Sequence, residues 1–539
     1  MHLLDSELKN SEQWEKAGIA LPKFDREAMK AATKETPQWV HFGAGNIFRA
    51  FPAALQQKLL NEGAEKTGII VAEGYDYEII KKAYQPQDDL SLLVTLKANG
   101  TIEKTVIASL AESLTVDRQD AADWARLCEI FASESLQMVS FTITEKGYSI
   151  TGPDGDFRAD VKADFAAGPD KADSYIGKLV SLCHYRYIHG AAPLALVSMD
   201  NCSHNGDKLF AAVDAYAKAW TENGLAADGF LAYIENPAKV SFPWSMIDKI
   251  TPRPDDSVKK MLEDCGFEDT ENIVTSKNTY VAPFVNAEEA QYLVIEDAFP
   301  NGRPALDKAG VIFTTRDTVE KVERMKVCTC LNPLHTTLAV YGCLLGYTKI
   351  SDEMKDADLV KLVEIIGYKE GLPVVTDPGI LSPKKFIDEV LQIRVPNPFM
   401  PDTPQRIATD TSQKLSIRFG ETIKEYIARP ELDVKSLKFI PMVQAGWCRY
   451  LMGVDDEGNA FTVSPDPMYE ELAPMLASVK LGEACDVHAV LQPILSNAKI
   501  FGVDLYEAGL GEYVESIFAE LIAGKGAVRA ALKKHLAEA

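Results

Sequence analysis

The 539-residue chain has no apolar run near the roughly 20 residues of a membrane-spanning helix; its longest, near 338–347, falls well short. Its opening residues, Met1-His2-Leu3-Leu4-Asp5-Ser6-Glu7, lack the basic and apolar regions of a secretory leader, so a cytoplasmic protein is expected. Basic residues are scarce: 56 Lys and Arg against 79 Asp and Glu leave a net charge of −23, with no Lys/Arg run to reverse it locally. That field repels polyanions and excludes nucleic acid and anionic membrane as favoured partners. The nine cysteines are odd in number and scattered, and only Cys328-Thr329-Cys330 sits close together. They form neither a disulfide framework nor the paired spacing of a zinc site, and read as reduced thiols. Internal repeats and low-complexity tracts are absent. What remains is the composition of a globular protein, 46% hydrophobic and 25% charged.

Residues 38–43 form an apolar strand running into Gly43-Ala44-Gly45, after which Phe51, Leu55, Leu59 and Leu60 repeat at helical spacing. A second strand, 68–72, ends at Glu73, and Asn99-Gly100 between the alternating segments 92–97 and 101–107 is a hairpin signal. Strands are also expected at 137–143 and 193–199, the latter followed by a helix over 206–220. This alternation predicts an α/β fold with a largely parallel sheet covered by helices. After Asn301-Gly302-Arg303-Pro304 the periodicity turns helical, as at 514–521 and 527–536, apart from the proline-punctuated 377–404. The expected division is a first domain of 1–315 and a second of 316–539.

A glycine turn at a helix start lets a pyrophosphate approach backbone N–H groups, with Glu73 accepting from a ribose hydroxyl. A tight turn without a ligand explains those residues equally well. Asn332 and His335, three apart, share a helix face, whereas Lys326, nine before His335, falls on the opposite side of an ideal helix. Pro333 cannot donate to the Thr329 carbonyl, so a bulge or kink is expected that rotates Lys326 back toward the other two. Asp200-Asn201 follow a strand, at the carboxyl end where ligands of open α/β sheets bind. The cluster Asp248-Lys249-Ile250-Thr251-Pro252-Arg253, and Arg406 with Lys414, supply cations suited to a carboxylate or polyhydroxyl ligand. Taken singly, each has a commoner structural meaning: a turn or cap residue, a hydrogen-bonded core histidine, a charged surface.

Several ordered segments nevertheless occur together: Val40-His41-Phe42-Gly43-Ala44-Gly45 with Arg49-Ala50, Thr144-Glu145-Lys146-Gly147-Tyr148, Met199-Asp200-Asn201 with Asn205-Gly206, Asp248-Lys249-Ile250-Thr251-Pro252, Asn332 with His335, and Asp410 through Lys414 followed by Gly446-Trp447. In this the chain resembles, over nearly its whole length, the polyol-specific long-chain dehydrogenase family. The resemblance implies an expanded Rossmann-type N-terminal domain with extra hairpins, followed by a mostly α-helical C-terminal domain, with the active site in the cleft between them. It implies NAD as cofactor, with Gly43, Gly45, Asn46, Glu73 and Glu145 around it, and no metal. Lys326 would be the acid/base, Asn201, Asn332 and His335 would hold the reacting oxygen, and Asp248, Lys249, Arg406 and Lys414 would face the substrate. That substrate would be a small sugar acid or polyol. Segments 144–148, 301–304 and 443–450 look most like fructuronate reductases, which implies interconversion of fructuronate and mannonate. Mannitol 2-dehydrogenase and tagaturonate reductase are the alternatives within the family, and a catalytically silent NAD-binding redox sensor is the alternative from another class. A phosphate-transfer enzyme is disfavoured, because no Gly-rich loop carries Lys-Ser/Thr. The oligomeric state is left open, a monomer being compatible.

Overall fold

Trp39-Val40-His41-Phe42 carries four bulky side chains in succession, and they form strand β1 (Trp39–Phe42), buried along its whole length. Burial on both faces is what a parallel sheet under two layers of helix requires. In the computed structural model, which describes all 539 residues, β1 lies inside a six-stranded sheet. Its other strands are β2 (Ile69–Glu73), β3 (Leu110–Thr115), β4 (Met138–Phe141), β5 (Leu194–Ser198) and β6 (Val240–Ser241). The order is β3-β2-β1-β4-β5-β6 and every pairing is parallel. The strand order reverses at β1, so a crevice opens at the carboxyl ends of β1, β2 and β4.

Side-chain alternation sorts the core into two layers. Val40, Phe42, Ile70, Val139 and Phe141 face α3 (Ala121–Ala132), α4 (Tyr175–Ile188) and α5 (Asn205–Glu222). Trp39, Ile69, Val71, Met138 and Val197 face the other way, toward α1 (Asn46–Ala50) and α2 (Pro52–Asn61). A one-residue register slip would exchange these sets, and each large apolar side chain is worth about 1.5–3 kcal/mol of burial. Pro52 opens α2 because it has no N–H to give back to α1, so the chain bends at Phe51.

Three further sheets enlarge this domain, the smallest pairing Ile273–Val274 with Tyr280–Val281; the other two are larger. One has the order Ile19–Ala20, Ile102–Ile107, Ser91–Leu96, Phe284–Glu288, and its central pair is the hairpin expected at Asn99-Gly100, with Gly100 at φ +82°. The other joins Ser245–Asp248, Tyr292–Glu296 and Ile312–Thr314. Leu93, Ile107, Val285, Ile247 and Leu293 from these sheets complete the second core layer.

By internal contacts the chain divides into one unit of Met1–Leu96 with Thr101–Glu320 and another of Lys97–Gly100 with Lys321–Ala539. The second unit is helical. Its helices α6 (Asn332–Leu344) and α7 (Phe439–Tyr450) are apolar on nearly every side and almost wholly buried. Gly446 admits the ring of Tyr341 against α7, where a Cβ would stand 3.0 Å from it, and the Tyr341 hydroxyl donates to the Met442 carbonyl at 2.9 Å. Even the proline-rich stretch contains a helix, Pro383–Glu389, because Pro383 occupies its first position and costs no hydrogen bond there. No helix of the chain is long and apolar enough to cross a membrane.

Candidate active site

In the first unit a cavity of about 580 Å³ opens at the switch point, lined by Gly43, Ala44, Gly45, Glu73, Tyr75, Asp76, Thr142, Thr144 and Tyr175 among others. Gly43 sits at φ +107°, and a Cβ there would stand 2.3 Å from the Thr142 carbonyl oxygen, so any side chain would collide. Gly45, the residue capping α1, has nothing within 4 Å of the place a Cβ would occupy, which leaves room for a ligand against the backbone. Asn46 follows as the first residue of α1, its Oδ1 accepting from Arg49 at 2.8 Å, while Arg49 also donates to the Ala282 carbonyl.

Two carboxylates, Glu73 buried and Asp200 half-buried, hold the turns beside this cavity. Glu73, 5% exposed at the end of β2, accepts from the Ala44 amide through Oε2 at 2.8 Å and from the Tyr75 and Asp76 amides through Oε1 at 2.7 and 3.0 Å. Burial raises its pKa, and the three amides oppose that rise. A carboxylate has about four lone-pair positions, so one on Oε2 remains for a ligand hydroxyl. Asp200, after β5, accepts from the Ile143 and Thr144 amides at 2.9 Å each and from the Tyr148 hydroxyl at 2.5 Å. That grip holds Thr144 at φ +63°, a conformation a β-branched residue reaches only under constraint. Asn205 ties the same loop down by donating to the Ser198 and Asp200 carbonyls, and Asn201 is left exposed at the strand's end.

Glu145 is directed elsewhere. It is an exposed residue that pairs with Lys208 and lines a separate groove with Tyr148 and Phe157, because Thr144–Gly147 forms a short helix that turns it away from the glycine turn. Asp248 is buried at the end of its strand opposite Tyr292, and Lys249 donates to the Glu288 carbonyl and the Gln291 side chain at 2.9 and 2.8 Å.

In the second unit the helix Arg316–Met325 runs into a π turn, Lys326–Cys330, where the Leu331 amide reaches back to the Lys326 carbonyl at 3.1 Å. Helix α6 then restarts at Asn332 with Pro333 in its first turn. One residue is absorbed in the wide turn, so the rotation from Lys326 to His335 falls from about 180° to about 80°. The expected bulge is therefore present, and Lys326 is 5% exposed.

Around His335 the charge is predominantly positive. Its Nε2 lies 3.5 Å from Asp402 Oδ2, and Asp402 also pairs with Arg406. Burial lowers the His335 pKa to about 4; Asp402 pulls it up, while Arg418, Arg406 and Arg394 push it down. Arg418 hydrogen-bonds Thr336 and is itself brought down to about 10 by burial. Lys414 donates to the Thr409 carbonyl, and burial, followed by Arg418, lowers its pKa. The sequence reading missed Asp402, Arg394 and Arg418. Arg418 was within reach, four residues after Lys414 on a helical turn, whereas Arg394 lies in the proline-rich stretch and carried no pattern. Thr142 and Tyr175 were also missed in the first unit.

The sheet order, the glycine turn at its switch point and the acidic residue ending the second strand define a dinucleotide-binding dehydrogenase fold. Residues 37–308 match the mannitol dehydrogenase Rossmann domain and residues 318–521 the mannitol dehydrogenase C-terminal domain. The chain belongs to the mannitol dehydrogenase family and is a secondary-alcohol dehydrogenase. It is 53% identical over 536 residues to the D-mannonate oxidoreductase of Thermotoga maritima, covering 99% of each chain. It is 31% identical over 483 residues to the polyol:NADP oxidoreductase of Gluconobacter oxydans, covering 88% of this chain and 90% of that one. Among solved structures it is similar to Pseudomonas fluorescens mannitol 2-dehydrogenase in a ternary complex with NAD and D-mannitol, with a TM-score of 0.69, 26% identity and full coverage of both chains.

Proposed function

We propose that the chain interconverts D-fructuronate and D-mannonate with NAD(H), in the cytoplasm and without a metal. The substrate reading is supported by the 53% identity to a D-mannonate oxidoreductase and carried by the arginines Arg394, Arg406 and Arg418 gathered around His335, a set of guanidinium donors suited to a sugar carboxylate.

Relatives of this family include an NADP enzyme and one solved with NAD, so the choice of cofactor rests on local residues. Gly43, Gly45, Asn46 and Glu73 would hold the dinucleotide; the open face of Gly45 and the spare lone pair of Glu73 fit such a ligand. A carboxylate there accepts from a ribose 2′-hydroxyl and repels a 2′-phosphate, which favours NAD. The nicotinamide of a dinucleotide held there would serve as the hydride source for the ketone. Lys326 gives the proton to the oxygen as charge develops there, and takes it back in the oxidative direction. Asn201, Asn332 and His335 donate hydrogen bonds to that oxygen, the interaction that strengthens most in the transition state. Arg406 and Lys414 take the carboxylate end, and Asp248 with Lys249 the hydroxyls.

The test is a spectrophotometric panel of fructuronate, tagaturonate and fructose with NADH and NADPH, repeated after dialysis against EDTA. Fructuronate with NADH is expected to give the highest kcat/KM, unchanged by EDTA. A clear preference for fructose or tagaturonate would overturn the substrate assignment, and a protein that binds NADH without turnover would mark a sensor.

A further inference from the structure

A chain of buried hydrogen bonds crosses the sheet from β1 to β4 and ends in the cavity. Trp39 Nε1 donates to Ser140 Oγ at 2.7 Å, Ser140 Oγ meets His41 Nδ1 at 2.6 Å, and His41 Nε2 meets Thr142 Oγ1 at 2.8 Å. Trp39, His41 and Ser140 are all sealed from solvent, with the imidazole stacked on Phe48 at 4.3 Å. Burial lowers the His41 pKa to about 3, so the ring is neutral and one of its nitrogens must accept.

The direction of every bond in this chain follows from its first member. An indole N–H can only donate, so Ser140 Oγ accepts from Trp39. The hydroxyl proton of Ser140 has no other acceptor and would be buried unpaired unless it goes to His41 Nδ1. His41 therefore carries its proton on Nε2 and donates it to Thr142 Oγ1. With that oxygen accepting, the hydroxyl proton of Thr142 is left over, and Thr142 lines the cavity. Its Oγ1 lies 3.3 Å from the place a Cβ on Gly43 would occupy, beside the turn where a pyrophosphate would rest.

We propose that Thr142 is a one-way hydrogen-bond donor to a phosphate oxygen of the bound dinucleotide, its polarity set from inside the sheet by Trp39, Ser140 and His41. This rests on the dinucleotide reading of the cavity. Thr142 is then a binding residue, while His41 and Ser140 position its proton. The arrangement prevents the hydroxyl from turning inward to satisfy itself, so the donor stands ready in the free protein. It also explains why a histidine sits at the centre of β1 where an aliphatic residue would pack as well.

The test measures dissociation constants for NADH, ADP-ribose and adenosine by fluorescence and calorimetric titration of the full chain. Thr142→Val is expected to weaken NADH and ADP-ribose about 10- to 100-fold, the loss typical of a hydrogen bond to a charged group, and to leave adenosine unchanged. Thr142→Ser is expected to restore binding to within a few fold, and a melting curve on each variant separates folding from affinity. Nitrogen-15 spectra of His-labelled protein, assigned with His41→Asn, are expected to show the Nε2–H tautomer, neutral throughout pH 5–8. An Nδ1–H tautomer, a charged ring in that range, or a Thr142→Val loss confined to NADH and absent for ADP-ribose would overturn the proposal. Failure of the wild-type chain to bind either NADH or ADP-ribose would instead remove the dinucleotide reading beneath it.

Discussion

Replacing Glu73 by Gln tests two roles of one carboxylate. In the native side chain Oε1 serves the Tyr75 and Asp76 amides and Oε2 serves Ala44. A carboxamide keeps one oxygen only, so its NH2 group must face at least one buried amide that has lost its acceptor. An unpaired buried donor costs about 1–3 kcal/mol, and Glu73→Gln is expected to lose about that much stability, seen as a fall of several degrees in the melting temperature of the free protein. Glu73→Ala orphans all three amides at once, about 3–9 kcal/mol. That approaches the total stability of many domains, so the Ala variant should scarcely accumulate in folded form. The Gln variant also loses the charge that would repel a 2′-phosphate, and the advantage of NADH over NADPH should shrink about tenfold or more. The assay pairs a melting curve without ligand with kcat/KM for both cofactors. An unchanged melting temperature would refute the holding role. A lowered melting temperature with an unchanged cofactor ratio would keep that role and refute the ribose contact.

Lys326→Ala should lower kcat about 10²- to 10⁴-fold while leaving the NADH dissociation constant nearly intact, as titration of NADH fluorescence would show; near-normal turnover would remove Lys326 as the acid. Arg406→Ala should raise KM for fructuronate more than tenfold with little effect on fructose, and should raise the His335 pKa because Arg406 is one of the charges that depress it. An equal response of both substrates would show that Arg406 does not read the carboxylate. Glu353 is fully buried, neither of its oxygens has a hydrogen-bond partner, and burial raises its pKa from 4.5 to about 9. The folded state thus binds an extra proton between those values, and stability should fall with rising pH across that window by up to about 1.4 kcal/mol per unit. Glu353→Met should therefore melt above wild type at pH 8 with a gap that narrows toward pH 5, and a gap independent of pH would contradict this.

Four of the six central strands were legible because they are short apolar runs, three of them ending at punctuation: Gly43 after β1, Glu73 at the end of β2, Asp200 after β5; β3 and the two-residue β6 carried no such mark. The π turn was legible too, since Pro333 removes one specific hydrogen bond and the chain must compensate nearby. The outer four-stranded sheet was only half legible. Its hairpin announces itself at Asn99-Gly100, but Ile19–Ala20 is two residues long, and Phe284–Glu288 joins from nearly two hundred residues away with no local signal. The roles of Glu73 and Asp200 in holding backbone turns were invisible for a different reason. A carboxylate at a strand end looks the same in sequence whether it meets a ligand, a loop or both. Glu145 shows the converse, for a motif can be present while a short helix aims one of its members away.

Glu73 and Asp200 together also bear on the kinetics of encounter. Between them they hold five backbone amides, from Ala44, Tyr75, Asp76, Ile143 and Thr144, in segments that wall the cavity. No loop there has to fold around an arriving ligand, so association should be limited by diffusion and orientation, with little ordering entropy charged to the complex. These five amides should accordingly exchange slowly with deuterium in the free protein, and their protection should change little when the cavity fills.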